Sequence, residues 1–397
     1  MTTATLDHAW RAYQDLIEDQ RQILLSQSWA DDPEMRVAAH EIIAQIQAHA
    51  WNHVIGGRTD SPILYSHATY FPGVYNWGNP CVDFNYHYCF LDGARRYRLH
   101  GNRGTSHALD LQVQGSYYGG PGARKTWASR EFDDLDADLD GNFEAVIAAE
   151  PQPGNWIALD PDSANNFMLI REIFADWGIE RPARLHIENL DPAQPATAAT
   201  ESELVERLER AGTFISAGLA EFVIKRQQTL LSTVGMNRFS GTVIEKNTSA
   251  VHPKAHYPAA LFELEPDSAM LIECPLPRVR YWNVQVLDFW RGVINYADRQ
   301  SSLNLAQAHV DSDGVFRAVL SVADPGVPNW LDPAGRNKGL IQFRFFFGDA
   351  EPVPTMRSIP LTLIRENLPA NTPSVTPEQR TAQLADRRRG ALSRFGY

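Results

Sequence analysis

The sequence predicts an α+β protein that is mainly β: two related antiparallel halves, sandwich- or jelly-roll-like, with helices before, between and after them. Three observations carry this. Helical periodicity is confined to three stretches, each opened by a capping residue. Short aromatic and β-branched runs punctuated by Gly, Pro, Asn and Asp fill the rest. One phrase occurs twice, as "EPQPGNWIALDPDSANNFMLIREIF" (150–174) and "DPGVPNWLDPAGRNKGLIQFRFFF" (324–347).

The first segment, 1–60, is helical. Leu6, Trp10, Tyr13, Ile17 and Leu24 recur at helical spacing with Asp7 near the start, and Asp32-Pro33 opens a second helix striped by Met35, Ala38, Ile42, Ile46 and Ala50. Strand texture marks a first β half over 61–190. A linker-like "DPAQPATAAT" begins the segment 191–235, where Thr200 and Glu203 form a capping box before Leu204, Leu208, Ala211, Ile215, Leu219 and Phe222. That pattern fits a long helix or a helical hairpin. The second β half runs over 236–368, and Thr376-Pro377-Glu378-Gln379 starts a C-terminal helix within 369–397. The arginines near its end are read as complementing the helix dipole.

The repeat is ordered. Asp140-Gly141 before "NFEAVIA" matches Asp313-Gly314 before "VFRAVLS", 173 residues later, and Arg171 precedes Arg344 by the same interval. Upstream, Arg96-Tyr97-Arg98 is read as the counterpart of Arg280-Tyr281-Trp282. Two copies of one β unit explain a pattern that recurs in register.

Composition narrows the function. A net charge of −12 argues against nucleic acid, which needs a clustered positive field. The N-terminus lacks the basic and apolar regions of a signal peptide, and no window approaches a membrane span. Three cysteines, Cys81, Cys89 and Cys274, carry no CxxC spacing, so free thiols and a cytoplasmic location are expected. There is no GxSxG elbow, no GxGxxG after a strand and no Walker spacing in "GGPGARK", so no nucleotide cofactor is expected. His252 and His256 are four apart, but Pro253 and Pro258 oppose a shared helix face, so no metal is expected.

Candidate site residues come from the repeat and from one strand. Asn155-Trp156 and Asn329-Trp330 sit between Pro-Gly and Asp-Pro turns, so each Trp is a rigid wall for an apolar pocket or a plug at the end of its sandwich. Arg171 and Arg344 lie on apolar strands, where a guanidinium either forks a substrate carboxylate or pairs internally. In "DFNYHYCF", alternation places Asp83 and His87 on one face as an acid–base pair, with Tyr86 on the other.

The runs "SVADPGVPNWLDPAGRNKGLIQFRF" and "PVPTMRSIPL", with "DGARRYRLHGNRGT" upstream, resemble the DUF1214 family of bacterial proteins, often accompanied by the related DUF1254 domain. The resemblance runs from about residue 75 to the C-terminus. It implies a β-rich fold and supplies no reaction. Its Asn-Pro-Asp-Asn-x-x-Tyr-like stretch corresponds here to "NPCVDFNYHYCFLDG", with Asp83 and Tyr86 or Tyr88 in register, which departs by two extra residues and at Phe84.

The expected function is therefore a cofactor-independent enzyme using acid–base chemistry, of lyase, hydratase, isomerase or hydrolase type. Its substrate is a small, largely apolar acid, aromatic, terpenoid or steroid-like. Asp83, His87 and Tyr86 are the catalytic candidates, and Trp156, Arg171, Asn329, Trp330 and Arg344 the binding ones. The alternative is a non-catalytic ligand-binding or assembly module. A small apolar or aromatic ligand is the expected partner, and a homo-oligomer stays open.

Overall fold

The computed structural model describes residues 5–67, 78–191, 198–241, 252, 254–348 and 350–395. Its helices start at side-chain caps. Thr5 caps α1 (Leu6–Leu25), a turn-setting role the sequence reading gave to the neighbourhood of Asp7. Asp32 caps α2 (Pro33–Ala50), accepting the Glu34 N–H at 2.9 Å. The reciprocal Thr200–Glu203 box opens α3 (Glu201–Gly218), which passes through a π-helical stretch, Leu219–Lys225, straight into α4 (Arg226–Thr233). The segment is thus one long rod and not a hairpin. Of the linker before it, residues 192–197 lie outside the described residues. A Thr376–Gln379 box opens α5 (Pro377–Ser393).

The first half comprises β1 (Tyr65–His67), β2 (Phe84–Leu91), β3 (Tyr97–Asn102), β4 (Ala108–Gln114), β5 (Thr126–Glu131), β6 (Asn142–Ala148), β7 (Trp156–Ala158), β8 (Asn166–Ile173) and β9 (Arg184–Asn189). The second comprises β10 (Ala255–His256), β11 (Ala259–Glu263), β12 (Ser268–Pro275), β13 (Tyr281–Leu287), β14 (Ser302–Asn304), β15 (Val315–Leu320), β16 (Trp330–Leu331), β17 (Lys338–Phe346) and β18 (Thr355–Pro360).

Strand order repeats between halves. One sheet runs β1-β2-β8-β4-β5 in the first half and β10-β17-β13-β14, with β11 also on β17, in the second. The other runs β7-β6-β3-β9 and β16-β15-β12-β18. Even the single parallel pairing recurs, β6 with β7 and β15 with β16. Before β6 and β15 the chain turns through Gly141 and Gly314 at φ 80° and 78°, a left-handed conformation that favours glycine. One expected correspondence fails: Tyr97 lies on β3, whose counterpart is β12, whereas Tyr281 lies on β13, the counterpart of β4. A shared Arg-Tyr pair misled the reading there.

Within each half the two sheets face one another across an apolar core. Leu99, Leu111, Ile147 and Ile170 sit in the first, and Ile272, Val284, Phe316 and Phe343 in the second. The outer face of the first half's larger sheet carries Tyr88, Phe90, Phe167 and Leu169, covered by α2 and α3 through Ile46, Phe214 and Ile215. The remaining faces of the two larger sheets meet each other. Phe84, Ala108 and Ile173 pack there against Tyr257, Tyr281 and Phe346.

That junction is pinned by Asp83, which sits in the turn before β2. Its carboxylate accepts the Trp177 indole N–H at 2.9 Å and the Asn304 amide at 2.7 Å on one oxygen. The other accepts the Tyr281 hydroxyl at 2.7 Å and the Asn283 amide at 2.8 Å. The last turn of α5 closes over the same place. Arg394 donates to the Val82 carbonyl at 2.9 Å and lies 4.2 Å over the Trp177 ring, while Arg387 reaches the Tyr296 carbonyl. The arginines near the helix end are thus only partly solvated: Arg387 and Arg394 turn inward, whereas Arg388 and Arg389 stay exposed and pair with Asp298 and Asp386. Asp83→Ala would take the shared acceptor from four buried donors, of which Asn283 and Asn304 keep other partners, at about 1–3 kcal/mol for each donor left unsatisfied. The urea midpoint is expected to fall by several kcal/mol equivalent, and an unchanged midpoint would rule out this pinning role.

Candidate functional site

The central strands of the larger sheets are buried on both faces: every residue of β4, β8 and β13 is buried. Alternation therefore does not separate core from solvent here. It separates each half's apolar core from a polar face turned to the junction, carrying Asp110, Gln112, Arg171, Asn283, Gln285, Gln342 and Arg344. Buried polar groups of this kind must be satisfied by one another or by a ligand.

The two copies differ at one decisive position. Arg171 stands directly across from Asp110, and Arg344 directly across from Asn283. Arg171 donates to Asp110 at 2.8 Å and to Gln112 at 2.9 Å, a fully buried ion pair. Arg344 has no carboxylate partner among the described residues. Its Nη2 donates to the backbone carbonyl of Asn79 at 2.7 Å and to the Asn79 side-chain oxygen at 3.1 Å. Its Nη1 is buried and unpartnered.

Two further buried arginines, Arg226 and Arg291, are linked to Arg344 through the fields acting on Arg291. Burial, followed by the fields of Arg226 and Arg344, pulls the Arg291 guanidinium well below its ordinary value. Burial likewise brings Arg226 down to about 10. Neither makes an ion pair among the described residues; Arg226 lies 4.1 Å over the Phe222 ring, directly after the π-helical stretch. The acid that acts on Arg226, Glu221, is already bound to Arg124 and Tyr118. Tyr86 and Tyr257 complete the surroundings. Burial raises both phenols, and both lie in the fields of Arg171 and Arg344. The Tyr86 oxygen accepts the Cys81 N–H at 3.0 Å. His252, held neutral down to about pH 3 by burial and then by Arg171, packs on Phe346 at the same junction.

The other sequence candidates go elsewhere. Asp83 and His87 do not form a pair: Asp83 precedes the strand and faces β13, while His87 approaches Glu172 at 3.5 Å. With four donors on its two oxygens, Asp83 has no lone pair left for a substrate proton. Trp156 and Trp330 are not walls of one pocket. Each lies on its half's smaller sheet and donates its indole N–H to that half's own backbone, at Ala148 and Ser321. Asn329 likewise bridges the carbonyls of His309 and Arg317. His252 and His256 pack on Phe346 and Phe345, adjacent residues of one strand and so on opposite faces. Among the described residues no group of three or more His, Cys, Asp or Glu is placed to hold a metal. All three cysteines are free and buried.

The comparisons stop at architecture. The fold has a solved relative. An uncharacterized protein from Burkholderia cenocepacia matches over 90% of this chain and 98% of its own, with a TM-score of 0.80 and 26% identity. The VPA0106 protein from Vibrio parahaemolyticus aligns over 87% of this chain and all of its own at 13% identity, with a TM-score of 0.46. No family model and no curated protein matches the chain.

Sequence reasoning found Arg344 and Tyr86 and missed Arg226, Arg291 and Tyr257. Arg226 hides in a helix and Arg291 in the turn "DFWRGV". The signal that was available was polar alternation on strands whose other face is Leu, Val and Phe, next to unmatched arginines.

The asymmetry has a direct test. Arg171→Met strands a buried carboxylate and is expected to cost about 3–5 kcal/mol. Arg344→Met removes hydrogen bonds to one residue and should cost about 1–2 kcal/mol. Equal losses in chemical denaturation would show that both arginines are structural. Trp330→Ala, which empties a buried ring site, is expected to cost about 3–5 kcal/mol without affecting any ligand.

Proposed function

We propose that the protein holds a small, largely apolar organic acid at the junction of its two β halves, with Arg344 as the anchor of the carboxylate. One observation carries this reading: a buried arginine whose counterpart in the other half has a carboxylate and which itself has none among the described residues. The unused Nη1 of such a guanidinium can donate a charge-assisted hydrogen bond to a carboxylate, and burial strengthens the pair. Phe222, Tyr257 and Phe346 supply the apolar surroundings, in keeping with sites that are mostly apolar with a few fixed polar groups.

A catalytic version of the reading is favoured by Tyr86. Its phenol keeps its proton at neutral pH and is oriented by the Cys81 N–H beside two arginines, so it is suited to donate a proton to a bound acid. That makes Tyr86 the acid–base candidate of a cofactor-independent lyase, isomerase, hydratase or hydrolase, in place of Asp83 and His87. The alternative is binding without turnover. Membership in the DUF1214 family and a reducing, cytoplasmic setting for the three thiols belong to the same proposal; no described helix is long and apolar enough to cross a membrane.

Native mass spectrometry of the purified protein, with titration of benzoate and decanoate, tests the binding step. A co-purifying acid or saturable binding is expected, weakened about tenfold or more in Arg344→Met through loss of the charged Nη1 donor. Binding indifferent to Arg344→Met, in protein that melts normally, would overturn it. Tyr86→Phe separates the versions: it should leave affinity nearly unchanged and abolish turnover of any acid that proves to be a substrate.

A further inference from the structure

We infer that the ligand of this junction is a dianion, a dicarboxylate or a phosphate monoester, whose second charge is taken by Arg291 with Arg226. The inference rests on the anion-binding reading above and names the class of anion.

Charge is the first argument. Arg226 and Arg344 both act on the buried Arg291 inside an acidic protein, and none of the three has a carboxylate partner among the described residues. A monoanion on Arg344 leaves the other two uncompensated, and an unpaired buried cation is strongly unfavourable. A second negative charge halves that imbalance.

The second argument is how Arg291 is held. It sits at φ 70°, a left-handed conformation unusual for a residue with a side chain. Asp288 clamps the turn: its carboxylate oxygen accepts the N–H groups of Trp290 at 2.8 Å and Gly292 at 2.7 Å. A Cβ on Gly292 would lie 2.5 Å from that carboxylate, so a side chain there would push the clamp out of place. Trp290 then ties the turn to α2, its indole N–H donating to the Met35 carbonyl at 2.7 Å. Gln227, the residue after Arg226, donates to the Phe289 carbonyl and so links the two arginine-bearing segments. All this fixes a guanidinium whose Nε is buried and unpartnered. Strain of this kind, maintained by surrounding contacts, clusters at ligand clamps. A purely structural arginine would be expected to bond something.

The test compares matched probes by calorimetry: benzoate against terephthalate, and phenyl phosphate below and above its second ionisation at about pH 6. The doubly charged form is expected to bind about tenfold tighter or more, one added charge-assisted contact being worth at least that. Arg291→Met should erase this margin and leave benzoate affinity nearly unchanged, whereas Arg344→Met should weaken every probe. Terephthalate and phenyl phosphate separate the dicarboxylate from the phosphate source. No margin in the parent, or a margin that survives Arg291→Met, overturns the inference while the monoanion reading stands. Failure of benzoate, terephthalate and phenyl phosphate alike overturns both. Melting of ligand-free protein is an independent check: removing a buried cation that Arg226 and Arg344 oppose should raise the midpoint of Arg291→Met, and a lowered midpoint would mean that Arg291 is already partnered and the inference is wrong.

Discussion

Two polar sheet faces meet in the interior of this protein, and every hydrogen-bonding group on them has to be accounted for without bulk water. That constraint orders the rest. Asp83 resolves it at one place, taking donors from the loop after β8, from β13 and from β14. Gln285 resolves it at another by accepting the Val82 N–H and donating to the Pro80 carbonyl. The segment 79–83 therefore acts as a polar adhesive between halves, since the side chains of Asn79, Cys81 and Asp83 and the carbonyls of Asn79 and Pro80 engage the second sheet. A purely apolar junction would bind as well but would tolerate sliding; hydrogen bonds at fixed positions select one arrangement of the halves.

Duplication sharpens the argument because it supplies an internal control. Both halves place an arginine at the same point of the same strand, so the fold requires no difference between them. The difference lies in the residue opposite, Asp110 in one and Asn283 in the other. Asn283 uses its amide to serve Asp83 and Cys81 and offers Arg344 no charge. The first copy is closed on itself as structure, and the second is left electrostatically open. Divergence has thus occurred at the polar face, whereas the two Asn-Trp loops have kept the same backbone-bonding role in each half.

Much of the architecture was legible because it depends on local chemistry. Caps such as Asp32 and the Thr200–Glu203 box mark helix starts within a few residues, and Asp-Gly turns mark the repeated hairpins. The site was legible only in part, for a physical reason. Arg344 stands out as a cation on an apolar strand, but whether it has a partner depends on β13, some sixty positions away. The Asp83–His87 pair looked sound because their spacing is even; it fails because Asp83 lies outside the strand, where alternation has no force. Arg291 is invisible to periodicity altogether, since its orientation is set by a turn with positive φ.

The helical layer now acquires a role beyond covering a sheet. The rod that joins the halves changes from α to π geometry at Leu219–Lys225 and returns to α at Arg226. A π turn adds a residue to the helical circuit, so the face presented after it is rotated relative to the face before it. Upstream, Phe214 and Ile215 pack on the first half's aromatic surface; downstream, Leu230 packs with Leu261 and Leu340 of the second. One regular helix would hold a single stripe and could serve one of those surfaces. The irregular turn lets the same rod serve both. It falls at Phe222, the ring beneath Arg226, so the adjustment that matches the rod to two halves also sets the third arginine at their junction.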